Sequence, residues 1–187
     1  MTIVRSGDYA IRALDAADVD AYVAHLAVHD RESGTAGDLP YGPYDRDRPQ
    51  DPVEVRARAL RRWSTPLDAP GWRRAWGLWL GTVIVGSAHL AGSDLAASLH
   101  RADFGIGIER PHRGRGWGAR LTEAAITWAR AQPAIDWIDL GVFRGNDRAH
   151  ALYTSVGFVE VARVTDRFRV DGLSIDDIQM TLRVAAR

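Results

Sequence analysis

The chain has 187 residues, 46% of them hydrophobic, with 24 basic and 24 acidic side chains and a formal net charge of zero. That length suits one domain over residues 1–187 with a sizeable core, and the apolar content excludes a disordered chain. The charge balance argues against a nucleic-acid partner, which calls for a basic excess, and the lack of cysteine excludes disulfides, thiolate metal ligands and a cysteine nucleophile.

The opening MTIVRSGDYAIRALD is too polar for a secretion signal, and no run reaches the roughly 18 apolar residues of a membrane span. The expected setting is the cytoplasm, with no membrane partner. Lysine is absent, so every basic residue other than histidine is arginine. Coding bias explains that, and arginine counts by themselves carry no functional weight.

Val4 and Tyr9–Arg12 read as short strands. Asp15 then stands as an N-cap before a helix with Val19, Tyr22, Val23, Leu26 and Ala27 at helical spacing. His25 and His29 are four apart, as in a metal pair, but no third ligand is evident, so they read as a helix face and no metal is expected. Asp30–Pro52 is rich in Gly, Pro, Asp and Arg without periodicity, a loop long enough to be functional. Its segment YGPYDRD, Tyr41–Asp47, combines aromatic and acidic groups suited to a cation. A basic helix is expected over Val53–Trp63.

From Trp76, WGLWLGTVIVGSAHL reads as two strands turning near Gly81 or Gly86. Asp103–Ile108 is a strand, Leu121–Ala131 a helix with Trp117, Leu121, Ala124, Ala125 and Trp128 on one side, and Trp137–Val142 a strand. Asp147–Val156 is a short helix ended by Gly157. Val159–Val170 and Ser174–Val184 form a hairpin turned at Asp171-Gly172. The tryptophans suit a core, although Trp63, Trp72 and Trp76 also suit the wall of an acceptor pocket.

Two segments carry chemistry. In IERPHRGRGWGARL, Ile108–Leu121, a strand runs through a glycine-rich turn into a helix. Gly114, Gly116 and Gly118 let the backbone approach a ligand. The free N–H groups, the helix dipole and the charges of Arg113 and Arg115 make a pyrophosphate cradle. The spacing is not that of a dinucleotide fingerprint, and no G-K-[ST] Walker loop follows. In LGVFRGNDRAHALYTSVGF, Leu140–Phe158, Asn146 sits at a helix N-cap. Tyr153 lies nearly two turns on, on the same face, with the small Ala149 between them.

These segments resemble the GNAT superfamily of N-acetyltransferases. Arg113-x-x-Gly116-x-Gly118 is similar to its glycine-turn signature. Asn146-x-x-Ala149-x-x-Leu152-Tyr153-x-x-x-Gly157-Phe158 is similar to the motif that follows. The resemblance is clearest from Trp76 to Phe158. It implies an α/β (α+β) fold, with a mixed, mostly antiparallel central sheet flanked by helices. It also implies acetyl-CoA as co-substrate, an amine acceptor, and direct transfer without an acyl-enzyme. Dimers are common among such proteins, which makes a homodimer an expected assembly.

Residue by residue, the resemblance implies that Asp103–Ile108 and Trp137–Val142 splay to admit the pantetheine arm. Main-chain groups of Ile106 and Ile108 bond its amides, and the Ile108 N–H faces the thioester oxygen. Backbone N–H groups of Arg113, Gly114, Arg115, Gly116, Trp117 and Gly118 hold the pyrophosphate, with Asn146 and Ala149 beside the cofactor. Tyr153 aims its hydroxyl at the sulfur as the acid. For the base, Asp103 stands near where relatives carry a glutamate, Glu109 follows Ile108, and His89 ends the preceding strand. A non-catalytic acyl-CoA-binding module and a nucleotide-binding oxidoreductase are the competing readings; retention of Tyr153 argues against the first, and the Asn146–Phe158 box against the second.

Overall fold

The computed structural model describes residues 4–6, 8–43 and 50–185. The strands are β1 (Val4–Ser6), β2 (Tyr9–Ala13), β3 (Arg73–Leu80), β4 (Val83–Gly92), β5 (Arg101–Ile108), β6 (Trp137–Phe143), β7 (Val159–Val170) and β8 (Leu173–Arg183). The helices are α1 (Val19–Glu32), α2 (Pro52–Ser64), α3 (Trp117–Arg130) and α4 (Asp147–Ser155). One eight-stranded sheet runs β1-β2-β3-β4-β5-β6-β8-β7. Every pairing is antiparallel except β5 with β6. This is the mixed, mostly antiparallel sheet expected from the sequence.

The alternation of side chains along a strand divides the core between the two faces. Trp76, Leu78, Ala102, Phe104, Ile138, Leu140 and Val142 pack under α3 and α4 with Trp117, Leu121, Ala125, Ile126 and Phe158. The opposite face carries a smaller cluster of Val19, Tyr22, Ala59, Trp79 and Ile84 under α1 and α2.

Local chemistry accounts for most element ends. Asp15 caps a short 3-10 turn, Ala16–Asp18, which feeds α1, and its side chain accepts from the Ala17 N–H. Asp51 caps α2 in the same way, with Pro52 at the first helical position. The β3–β4 turn falls at Gly81, whereas Gly86 lies inside β4. The β7–β8 turn has positive φ at Asp171 and Gly172, as a two-residue hairpin needs. Helix α3 begins at Trp117, one turn before the expected Leu121, because Gly116 adopts φ 79° and closes the preceding loop at that point.

One of the two readings of the tryptophans is corrected. Trp72 and Trp76 do not wall a pocket: both are buried and pack on Trp128 of α3, at ring separations of 6.1 and 5.6 Å. Trp72 occupies the space left by Gly92, where a Cβ would lie 2.2 Å from the indole nitrogen. Trp63 lies against Tyr22 of α1, centroid to centroid 5.2 Å. Within YGPYDRD, Tyr41, Gly42 and Pro43 are described, while Tyr44 to Asp47 lie outside the described residues.

Truncation of a fully buried indole leaves a cavity as well as losing transfer energy. Trp72→Ala is therefore expected to cost about 3–5 kcal/mol in urea unfolding. A loss below about 1 kcal/mol would contradict this packing.

Candidate functional site

The parallel strands β5 and β6 pair only at Arg101–Asp103 against Trp137–Asp139. Beyond that point β5 stays with β4 as far as Ile108, and β6 stays with β8 as far as Phe143. The closed end is clamped by a fork of hydrogen bonds from Arg101 to Asp139, at 2.6 and 2.5 Å, with the Thr181 hydroxyl donating to the same carboxylate at 2.7 Å. The parted strands open a cleft of about 800 Å³. Glu109 donates its N–H to Val85 O on β4 at 3.0 Å. Backbone groups alternate along a strand, so those of Ile108 and Ile106 turn toward the gap.

Below the gap lies the glycine turn. Arg113 N–H reaches Arg110 O at 3.3 Å, and the next N–H to find a carbonyl is that of Arg120, on Gly116. Among the described residues the N–H groups from Gly114 to Ala119 therefore form an unbonded row at the start of α3, an anion cradle by geometry and dipole. Gly114 and Gly116 take φ 78° and 79°, a conformation that favours glycine. Gly118 serves differently: a Cβ there would crowd Leu152 of α4 at 3.1 Å.

The arginine side chains depart from expectation. The Arg113 guanidinium does not face the cradle. It donates to Ile108 O at 2.6 Å, pairs with Asp38 at 2.8 Å and Glu32 at 3.0 Å, and lies over the Tyr41 ring at 4.7 Å. Arg110 joins it, pairing with Asp38 at 2.9 Å. The Tyr41 hydroxyl, then Arg110 and Arg113, hold the Asp38 carboxyl down at about 2. Arg115 is exposed, reaches the Tyr9 hydroxyl at 3.3 Å, and does not line the cleft.

Helix α4 forms another wall. Asn146 accepts the Ala149 N–H at 3.2 Å, as an N-cap should. Asn146, Ala149 and Tyr153 all line the cleft. The Tyr153 ring packs edge-on against Phe104 at 6.2 Å, and its hydroxyl has no hydrogen bond among the described residues. Burial pushes that hydroxyl up to about 12, so it stays protonated at neutral pH.

On the α1–α2 side of the sheet, three glycines leave room for three side chains. A Cβ at Gly105 would meet the His89 ring at 2.4 Å, one at Gly107 the His29 ring at 2.5 Å, and one at Gly141 the Asp177 carboxylate at 2.7 Å. His29 stacks on Tyr41 at 4.5 Å. Its neighbour His25 is buried, 2.9 Å from Glu109 Oε1. Loss of hydration holds His25 and His29 near 4 and His89 near 3. His89 keeps some exposed surface, yet the atoms crowded around it and the charges of Arg73 and Arg62 all disfavour its cation.

Most of the residues expected from the sequence meet at this cleft. Ile106, Ile108, Arg113, Gly114, Gly116, Trp117, Gly118, Asn146, Ala149 and Tyr153 line it; Asp103 and Glu109 do not. Asp103 is exposed at the clamped end, and crowding and the nearby Asp139 raise its pKa. The Glu109 carboxyl is also raised, mainly by burial, while engaged by His25. Sequence reading missed Asp177 and took His29 for an ordinary helix face. Gly141, a lone glycine inside a strand, was the available signal. Among the described residues no group of three or more histidine, cysteine or acidic side chains could hold a metal, and no helix is long and apolar enough to cross a membrane.

A family model for the acetyltransferase (GNAT) family matches residues 39–158. No curated protein matches the chain. Solved structures do. An acetyltransferase of the GNAT family from Streptococcus pneumoniae superposes with TM-score 0.78 at 23% identity, covering 94% of this chain and 99% of its own. The putative acetyltransferase yncA from Salmonella typhimurium, determined with acetyl-CoA, gives 0.78 at 19% identity, covering 97% and 96%. A spermidine N-acetyltransferase from Vibrio cholerae, in complex with CoA and spermine, gives 0.73 at 20% identity, covering 95% and 96%.

The three depressed histidines make a pH prediction. Between pH 6.5 and about 4 the unfolded chain binds protons that the native protein refuses, so stability is lost as pH falls through that window. The urea midpoint should drop from pH 7 to pH 4.5. His89→Gln should flatten the slope by up to one proton, ~1.4 kcal/mol per pH unit, and an unchanged slope would remove His89 from this account.

Proposed function

The chain belongs to the acetyltransferase (GNAT) family, and we propose that it moves the acetyl group of acetyl-CoA directly to a primary amine of a small molecule or of a peptide or protein N-terminus. The carrying observation is the coincidence, on one cleft, of two parallel strands that part beyond Asp103 and a row of unbonded N–H groups from Gly114 to Ala119. A slot with free backbone edges suits an amide-bearing arm, and the row of donors suits its pyrophosphate. A cytoplasmic setting goes with this reading, since acetyl-CoA is available there.

Each residue then has a task. The inward backbone groups of Ile106 orient the pantetheine amides, and those of Ile108 stand beside the thioester. The Ile108 carbonyl is already taken by Arg113, which leaves its N–H for the thioester oxygen as negative charge develops there. Gly114 to Gly118 bind the pyrophosphate, and Ala149 and Asn146 leave room along α4. Tyr153, protonated and otherwise unbonded, donates to the departing sulfur. The amine proton leaves through water, with Asp103, on the same sheet face as Gly105 but at the clamped end outside the cleft lining, as the candidate to receive it. Glu109 acts through His25, as a positioning residue. Holding acceptor and thioester together supplies a large share of the acceleration.

Calorimetry with acetyl-CoA, CoA and NAD tests the first half. Selective binding of the first two is expected. Gly116→Glu should abolish it, since the left-handed backbone at this position, φ 79°, strains any residue with a Cβ and the new side chain places a carboxylate in the anion cradle. Release of free thiol with an amine panel tests the second half. Tyr153→Phe should lower kcat about 10²–10⁴-fold at unchanged acetyl-CoA affinity. An unchanged rate removes Tyr153 as the acid, and binding without any turnover would favour a non-catalytic acyl-CoA-binding module.

A further inference from the structure

Two carboxylates line the cleft, Asp38 and Asp177, and their surroundings differ sharply. Asp38 is paired by Arg110 and Arg113. Asp177, on β8, forms no ion pair among the described residues. It is only 5% exposed, and its Oδ1 is buried without a hydrogen-bond partner. Its neighbour Asp176 is paired with Arg144 at 3.2 Å. Arg167 and Gln179 favour the Asp177 anion, but neither outweighs the cost of burial, and its pKa is raised. A buried carboxylate with a free lone pair is costly unless something arrives to pair with it.

Register shows which face Asp177 serves. It stands directly opposite Phe143 on β6, and residues paired across an antiparallel ladder share a face. Gly141 shares that face, and a side chain there would collide with the carboxylate. So do Gly105 and Gly107 across the gap, by the parallel register of Asp103 with Asp139. Tyr153 and Ala149 belong to α4, on the other face. Asp177 therefore sits across the sheet from the cofactor wall, where an acceptor would approach. Aromatic rings surround that side. Phe143 and Phe168 are 5.5 Å apart, and Tyr41 and His29 close the opposite wall. A carboxylate among ring faces suits an organic ammonium, which gains from both.

We propose that Asp177 is the acceptor anchor, and that the acceptor is an organic cation: an amine with no carboxylate beside its amino group. This rests on the acyltransferase reading above and narrows its acceptor class. A free α-amino acid would set its own carboxylate against Asp177. The corresponding amide, or an aralkyl or alkyl amine, would not.

The test separates binding from turnover. Protein saturated with CoA is titrated calorimetrically with a panel of alkyl and aralkyl amines, and with α-amino acids and their amides. Thiol release is measured on the same panel with acetyl-CoA. Amines and amides are expected to bind, with the free acids weaker by about 100-fold or more. Asp177→Asn should weaken amine binding and raise acceptor KM by about 10- to 100-fold, the span of a hydrogen bond to a charged group, while leaving acetyl-CoA affinity unchanged. The variant should unfold in urea no earlier than the parent, because it removes a buried unpaired charge, so lost binding is not lost folding. Amine binding that depends on Asp177 but yields no thiol would sink the acyltransferase reading and keep the anchor. Turnover unaffected by Asp177→Asn, a preference for free acids, or no amine binding at all would overturn the anchor.

Discussion

The cleft exists because one pair of strands is held together at one end only. Arg101, Asp139 and Thr181 tie β5, β6 and β8 in a single hydrogen-bonded knot at the closed end of the gap. Past it each strand keeps an antiparallel partner on its outer side, β4 for β5 and β8 for β6. Each strand is thus half satisfied, and the unsatisfied inner edges face each other across open space. Unpaired backbone in a sheet interior is costly unless a ligand or water completes it. Here the arrangement offers a ready-made ladder to an extended chain bearing amides.

Glycine serves this cleft in two physically distinct ways. In the turn before α3, Gly114 and Gly116 supply backbone angles that aim N–H groups at a common point. On the strands, Gly105, Gly107 and Gly141 supply absence: without a Cβ they let His89, His29 and Asp177 lie flat against the sheet. The first use builds an anion site on one side of the gap, and the second builds a polar, aromatic chamber on the other. The sheet separates these two regions and joins them only at the gap.

Arg110 and Arg113 couple these halves. Their guanidinium groups leave the glycine turn and grip Glu32, Asp38 and Tyr41 at the end of α1 and in the loop after it. Partly exposed ion pairs are worth little singly. A network of two arginines, two carboxylates and one ring does more, because fixing one member orients the others. The wall formed by Tyr41 and His29 is thereby tied to the same residues that flank the glycine turn.

What the sequence determined by itself was local. The glycine run before an amphipathic helix, Asn146 ahead of a short helix, Asp171-Gly172 between two strands and Tyr153 on the Asn146 face all depend on neighbours within a turn or two, where spacing reads out geometry directly. The β5–β6 splay and the cofactor-side residues were reached through resemblance rather than spacing. Only the tertiary structure decided the rest. It turned Arg113 toward Glu32, 81 positions away, chose the core over a pocket wall for Trp72 and Trp76, and inserted β8 between β6 and β7. It also set Asp177 against Gly141. These pairings join segments distant in the chain, whose meeting depends on strand order and register, and no local period records that.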